Sequence, residues 1–195
     1  MKLRQLLFAA MFAALMVVSA YIKIPIPTLP ITLQVLIVVM SGLILKPPYA
    51  LASQLVYMAM GLIGLPVFSN GGGIGYVFQP SFGFIIGFSV CALLISLLVR
   101  KNMIALIRKS TDKPKYIYII KIIGFSLVSI LALYVCGITY MYFILNYYMG
   151  ASYSLWTLIA SYTGFYVLLD IAKFAVAVPL CIAVLKRLPE NFKRS

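Results

Sequence analysis

The chain has 195 residues, 64% apolar and 10% charged, with a mean hydropathy of +1.10. Soluble domains are about half apolar and about a quarter charged, so the composition excludes an ordinary soluble globule and points to an integral membrane protein. Sixteen Lys and Arg against three Asp and Glu give a net charge of +13. Such a balance raises nucleic acid as a partner, but the basic residues flank apolar runs and form no continuous stripe, so topology explains them better and no nucleic-acid partner is expected.

Apolar runs separated by turn-rich or basic breaks read as spans. The first covers about 5–22 and contains "AAMFAA". The start of the chain has the basic end, apolar stretch and small residues of a secretory signal. Against cleavage stand Ala9 and Ala13, and Ala10 and Ala14, each four apart. Small residues at that spacing make a flat face that another helix can approach closely, and a helix needed for contact is not a discarded leader. "KIPIPTLPIT" follows, too dense in proline for a helix and expected to be an extended or folded-back loop.

The second span runs about 31–45 and the third about 49–65, separated by Lys46, Pro47 and Pro48. A polar, Gly-rich loop, "PVFSNGGGIGYVFQPSFG", fills 66–83. Its glycines Gly71, Gly72, Gly73 and Gly75 permit positive φ and close backbone approach. It lacks the spacing of a phosphate loop. The fourth span runs about 84–99 and a basic stretch about 100–116. The fifth runs about 117–145, "NYYMGASYS" is the next break, and the sixth covers about 157–185 before a basic tail. The expectation is an all-α integral membrane protein, one domain over 1–195 with six transmembrane helices and external loops that cover a substrate.

Fourteen of the sixteen basic residues fall on one side of that arrangement. They are Lys2, Arg4, Lys46, seven between Arg100 and Lys121, and Lys186, Arg187, Lys193 and Arg194. The other side carries only Lys23. By the positive-inside rule both termini are cytoplasmic, in a plasma-membrane protein. The loops at 23–30, 66–83 and 146–156 then lie outside. They are nearly free of charge and rich in turns, amides and aromatics, as a lid over a small, mostly neutral ligand would be.

The sixth span holds "FYVLLDIAKF". Asp170 and Lys173, three apart, share one helix face. An isolated ion at membrane depth costs several kcal/mol, so such residues face a cavity or a partner. A buried pair that serves packing alone is often no better than apolar residues of the same size, which favours a polar ligand that uses both groups. The other acids, Asp112 and Glu190, lie in polar, basic stretches.

Gln34 near the start of span 2 either contacts ligand or caps local backbone. Asn70, Tyr76 and Gln79 in the Gly-rich loop are similar candidates. Tyr57, Tyr162, Tyr166 and Trp156 line a pocket or form an interfacial belt, the belt suiting Trp156 better. Cys91, Cys136 and Cys181 stand alone in apolar runs and read as packing residues. With no His and no C-x-x-C pair, neither a metal site nor catalytic residues are expected, and no cofactor is implied.

"IPIPTLPITLQ", "GLIGLPVFSNGGGIGYVFQPSFGFIIGF" and the D-x-x-K of the last span together resemble the BioY family, the biotin-specific S components of energy-coupling factor (ECF) transporters. The resemblance runs over nearly the whole chain. It implies a six-helix membrane protein that binds biotin from outside, and a separate module of a transmembrane coupling protein and two ATPase subunits that drives uptake. It implies a docking face for the coupling protein at Ala9, Ala10, Ala13 and Ala14, and a ligand role for Asp170, Lys173 and Gln34. Gln79 departs from the family, which often has a small residue there. The rival reading is a stand-alone ion-coupled carrier with Asp170 as its proton or cation site. A solitary carrier of this size needs to dimerise or repeat internally, and no repeat is evident. An intramembrane aspartyl protease needs two carboxylates close together, and only one lies in a span.

Overall fold

The computed structural model describes residues 2–26, 29–108 and 114–189. Pro27, Lys109, Asp112, Lys113, Glu190, Lys193 and Arg194 lie outside them. Seven α-helices account for most of the described chain. They are α1 (Lys2–Tyr21), α2 (Gln34–Ile44), α3 (Pro47–Leu62), α4 (Phe82–Leu94), α5 (Arg100–Arg108), α6 (Lys115–Phe143) and α7 (Leu155–Arg187). A single-turn π-helix, Ile95–Val99, joins α4 to α5, and another, Ile144–Tyr148, extends α6. Four helical stretches are long and apolar enough to cross a membrane: Lys2–Tyr21, Phe82–Ile107, Tyr116–Tyr148 and Leu155–Arg187. The other two expected spans are helices of 11 and 16 residues, shorter than the roughly 20 residues of a perpendicular crossing.

The proline-rich segment is a small hairpin. Lys23–Ile24 (β1) pairs antiparallel with Ile31–Thr32 (β2), Lys23 opposite Thr32. Proline has no N–H to give a helix, and Ile24, Ile31 and Thr32, which flank the prolines, suit extended backbone.

At the centre lies α2, apolar and buried nearly all round, from Gln34 and Val35 to Leu43 and Ile44. A helix without a polar face belongs inside, and α2 packs against α1, α3, α4 and α7. Because it ends inside the protein, its last carbonyls need partners that water cannot supply. Ser96 donates to the Leu45 carbonyl at 2.7 Å, and the Nε of Arg100 to the Ile44 carbonyl at 3.3 Å. Arg100 is therefore buried, and the helix that begins at Phe82 runs on through it instead of ending near Val99.

Glycines set the approach of α4 to α6. A Cβ on Gly83 would lie 2.3 Å from the Tyr140 Cβ, and one on Gly137 would lie 2.6 Å from the Phe84 ring. Gly83 and Gly87, four apart on α4, form the small-residue face that lets two apolar helices touch backbone to backbone. Gly83→Val should cost roughly 1–3 kcal/mol through overpacking and lower the melting temperature in detergent. Gly124→Ala, which meets nothing within 4 Å, should leave it unchanged.

Candidate functional site

Two helices present the same periodic face to one cavity. On α7 the residues are Tyr166, Leu169, Asp170 and Lys173; on α4 and the turn before it they are Ser81, Phe84, Ile85 and Phe88. Both sets follow the i, i+3, i+4, i+7 spacing of a single helical stripe. Leu133 and Tyr134 of α6 and Gln34 and Val35 of α2 also line the cavity, as do Leu29–Thr32 of the hairpin and Ser69 and Tyr76 of the Gly-rich loop. The empty space, opening and open solvent included, is about 610 Å³.

The polar groups fall into two sets. In the first, the Lys173 ammonium donates to Asp170 Oδ1 at 2.7 Å, and the Tyr134 hydroxyl donates to Asp170 Oδ2 at 2.7 Å. The side chains of Asp170 and Lys173 are only 7% and 14% exposed, so the pair is neutralised within the protein and still borders the cavity. In the second set, the Tyr76 hydroxyl lies 3.3 Å from both Ser69 Oγ and Ser81 Oγ. Nearby, Thr32 Oγ1 donates to Gln34 Oε1 at 3.1 Å, and Gln34 Nε2 donates to the Tyr57 hydroxyl at 2.7 Å. Between the sets, Phe84, Ile85, Phe88 and Leu133 supply apolar wall. The cavity lining thus offers a carboxylate and an ammonium in one set, hydroxyls and an amide in the other, and hydrocarbon between them.

Tyrosine hydroxyls bind the hairpin and the Gly-rich loop to the helices. Tyr166 donates to the Leu29 carbonyl at 2.8 Å and Tyr57 to the Val67 carbonyl at 3.2 Å. Tyr21 and Tyr140 donate to the carbonyls of Pro66 and Val77. Lys23 of the hairpin donates to the Ser69 carbonyl and to Asn70 Oδ1 of the Gly-rich loop, so one ammonium joins the two segments. Inside that loop Phe68 is fully buried, 5.5 Å from the Tyr57 ring and 4.6 Å from the Tyr76 ring. Gly71 and Gly73 take φ of 117° and 100°, a region L side chains rarely adopt.

Of the residues singled out in the sequence, Gln34, Tyr76, Tyr166, Asp170 and Lys173 meet at this cavity. Asn70 is exposed and bonded to Lys23, and Gln79 is exposed in the turn that leads into α4; neither is among the lining residues. Tyr57 stands behind Gln34, Tyr162 lies off the cavity wall, and Trp156 is exposed. The four alanines of "AAMFAA" divide: Ala9 and Ala13 are buried within the chain, at 6% and 2% exposure, whereas Ala10 and Ala14 face outward. Tyr134, Thr32, Ser69 and Ser81 were not evident from the sequence. A tyrosine within an apolar helix needs a partner for its hydroxyl, and that was the available signal for Tyr134.

Comparison with known proteins places this geometry in context. The model of the BioY family matches residues 1–190. A probable biotin transporter of Lysinibacillus sphaericus is 41% identical over 145 residues, which are 74% of this chain and 68% of that protein. A biotin transporter of Thermotoga maritima is 41% identical over 101 residues, 51% of this chain and 60% of its own length. A solved structure, the S-component for biotin from an ECF-type ABC transporter, shares the fold with a TM-score of 0.76 at 23% identity, covering 99% of this chain and 97% of that one.

The Lys23 clasp has a direct test. Lys23→Ala should quicken hydrogen exchange at the Gly71 and Gly73 amides by about fivefold while leaving α4 unchanged. Unaltered exchange in the loop would show that the clasp does not hold it.

Proposed function

The chain belongs to the BioY family, and from that premise we propose that it is the membrane-embedded biotin-binding subunit, the S component, of an ECF-type importer. It is a transport subunit and not an enzyme. The observation that carries the reading is the Asp170–Lys173 pair, held at the wall of a cavity that is apolar in its middle and hydroxyl-rich at its other set of polar groups. Biotin offers a cyclic urea with two N–H donors and one carbonyl, an apolar thioether ring, and a carboxylate on a flexible chain. Asp170 can accept a urea N–H, and Lys173 can donate to the urea oxygen or to the carboxylate. Phe84, Ile85, Phe88 and Leu133 can cover the ring and chain, where burial of apolar surface drives binding. Binding breaks no covalent bond of the vitamin.

In the membrane, α2 and α3 complete a single six-helix domain with the four longer helices. The charge asymmetry supports cytoplasmic termini, which puts the hairpin and the Gly-rich loop on the external side, over the cavity. Energy comes from partner subunits, a transmembrane coupling protein and two ATPases. For docking, Ala10 and Ala14 are the two alanines of α1 that reach the surface, beside the exposed Leu6, Leu7 and Met11. An ion-coupled carrier would use Asp170 as its ion site, but the Lys173 ammonium at 2.7 Å already balances that charge.

Asp170→Asn or Lys173→Ala should weaken biotin binding at least tenfold, about 1.4 kcal/mol, with folding retained; titration of the purified protein with biotin and with desthiobiotin measures this. Affinity unchanged in both variants removes the pair from the site. Ala10→Trp should leave biotin binding intact and block assembly with the coupling protein, read by co-purification. A complete complex from that variant ends the docking role.

A further inference from the structure

We propose that Tyr134 is a positioning residue for the biotin site: from α6 it aims the Asp170 carboxylate of α7 into the cavity. The inference rests on the functional reading above and adds a residue to it. A carboxylate has about four acceptor positions on its two oxygens. Lys173 uses one on Oδ1 and Tyr134 one on Oδ2, both at 2.7 Å, so each oxygen keeps acceptor capacity for a ligand. Lys173 is a neighbour on the same helix, and its long chain moves with α7. Tyr134 comes from another helix and is rigid. It is 4% exposed, and its ring stands edge-on to Phe84, with centroids 5.9 Å apart at 87°. Donors on both oxygens, from two helices, fix the plane of the carboxylate; one donor from its own helix leaves it free to turn. The other tyrosine on this wall, Tyr166, gives its hydroxyl to the Leu29 carbonyl, so it does not duplicate the role.

Removing only the hydroxyl keeps the ring and its contact with Phe84, so Tyr134→Phe should fold and melt as the unaltered protein does in detergent. Its affinity for biotin should fall about fivefold. In an Asp170→Asn background the same substitution should change affinity less than about twofold, because the group it positions has been altered. Equal losses in both backgrounds, or no loss in the first, overturn the positioning role. Failure of the unaltered protein to bind biotin overturns the functional reading instead, and the inference with it.

A second measurement needs no ligand. The chain has only three acidic side chains, so subtracting the infrared spectrum of Asp170→Asn isolates the antisymmetric carboxylate stretch of Asp170. Tyr134→Phe should shift that band in the ligand-free protein. An unshifted band overturns the proposal, even where Asp170→Asn abolishes binding.

Discussion

A carboxylate and an ammonium share one turn of a helix in an apolar setting, and the site is organised around making that tolerable. Each charge alone would cost several kcal/mol at membrane depth. Together at 2.7 Å they neutralise each other, and the hydroxyl of Tyr134 takes the second carboxylate oxygen. Pairing answers the cost of burial but not the reason for the charges, since an apolar pair would pack as well. Their place on a cavity wall supplies the reason: a ligand with donors and acceptors can bind both groups where little water competes.

The hairpin and the Gly-rich loop use a different chemistry. They are tied by neutral hydroxyls to backbone carbonyls, at Leu29, Pro66, Val67 and Val77, with Lys23 as the single cation between them. Such bonds are each modest in net strength because water can replace them. The helix contacts beneath are glycine-mediated and close-packed, as at Gly83 and Gly137. The contact of α4 with α6 is therefore the close-packed part, while the hairpin and the Gly-rich loop are held by bonds that water can exchange.

Much of this was legible in the sequence because membrane helices and intramembrane charge leave strong signals. Apolar runs located the helices, and Asp170 and Lys173 stood out as charges inside one. Gln34, Tyr76 and Tyr166 reach the same cavity as that pair. What could not be read depends on tertiary contacts. Arg100 marked the end of a span by charge, yet the carbonyls left open at the end of α2 draw it inside and the helix continues. Asn70 and Gln79 have the right chemistry for a ligand, but turn geometry faces them outward. Tyr134 sits in an apolar run where its hydroxyl signals a need for a partner but not which one; the carboxylate on another helix supplies it. The alanines of α1 lie on two adjacent stripes, and spacing alone does not say which stripe is covered.

The encasement of α2 bears on how the protein is made. Eleven residues at about 1.5 Å each rise roughly 16 Å, half the thickness of a bilayer core. A segment that short gives the insertion machinery a weak signal, and it is anchored by protein on most sides. Its neighbours α4 and α7 are synthesised later. The cavity that Gln34 shares with Asp170 and Lys173 is therefore assembled only after α7 has been made, a late event in biogenesis.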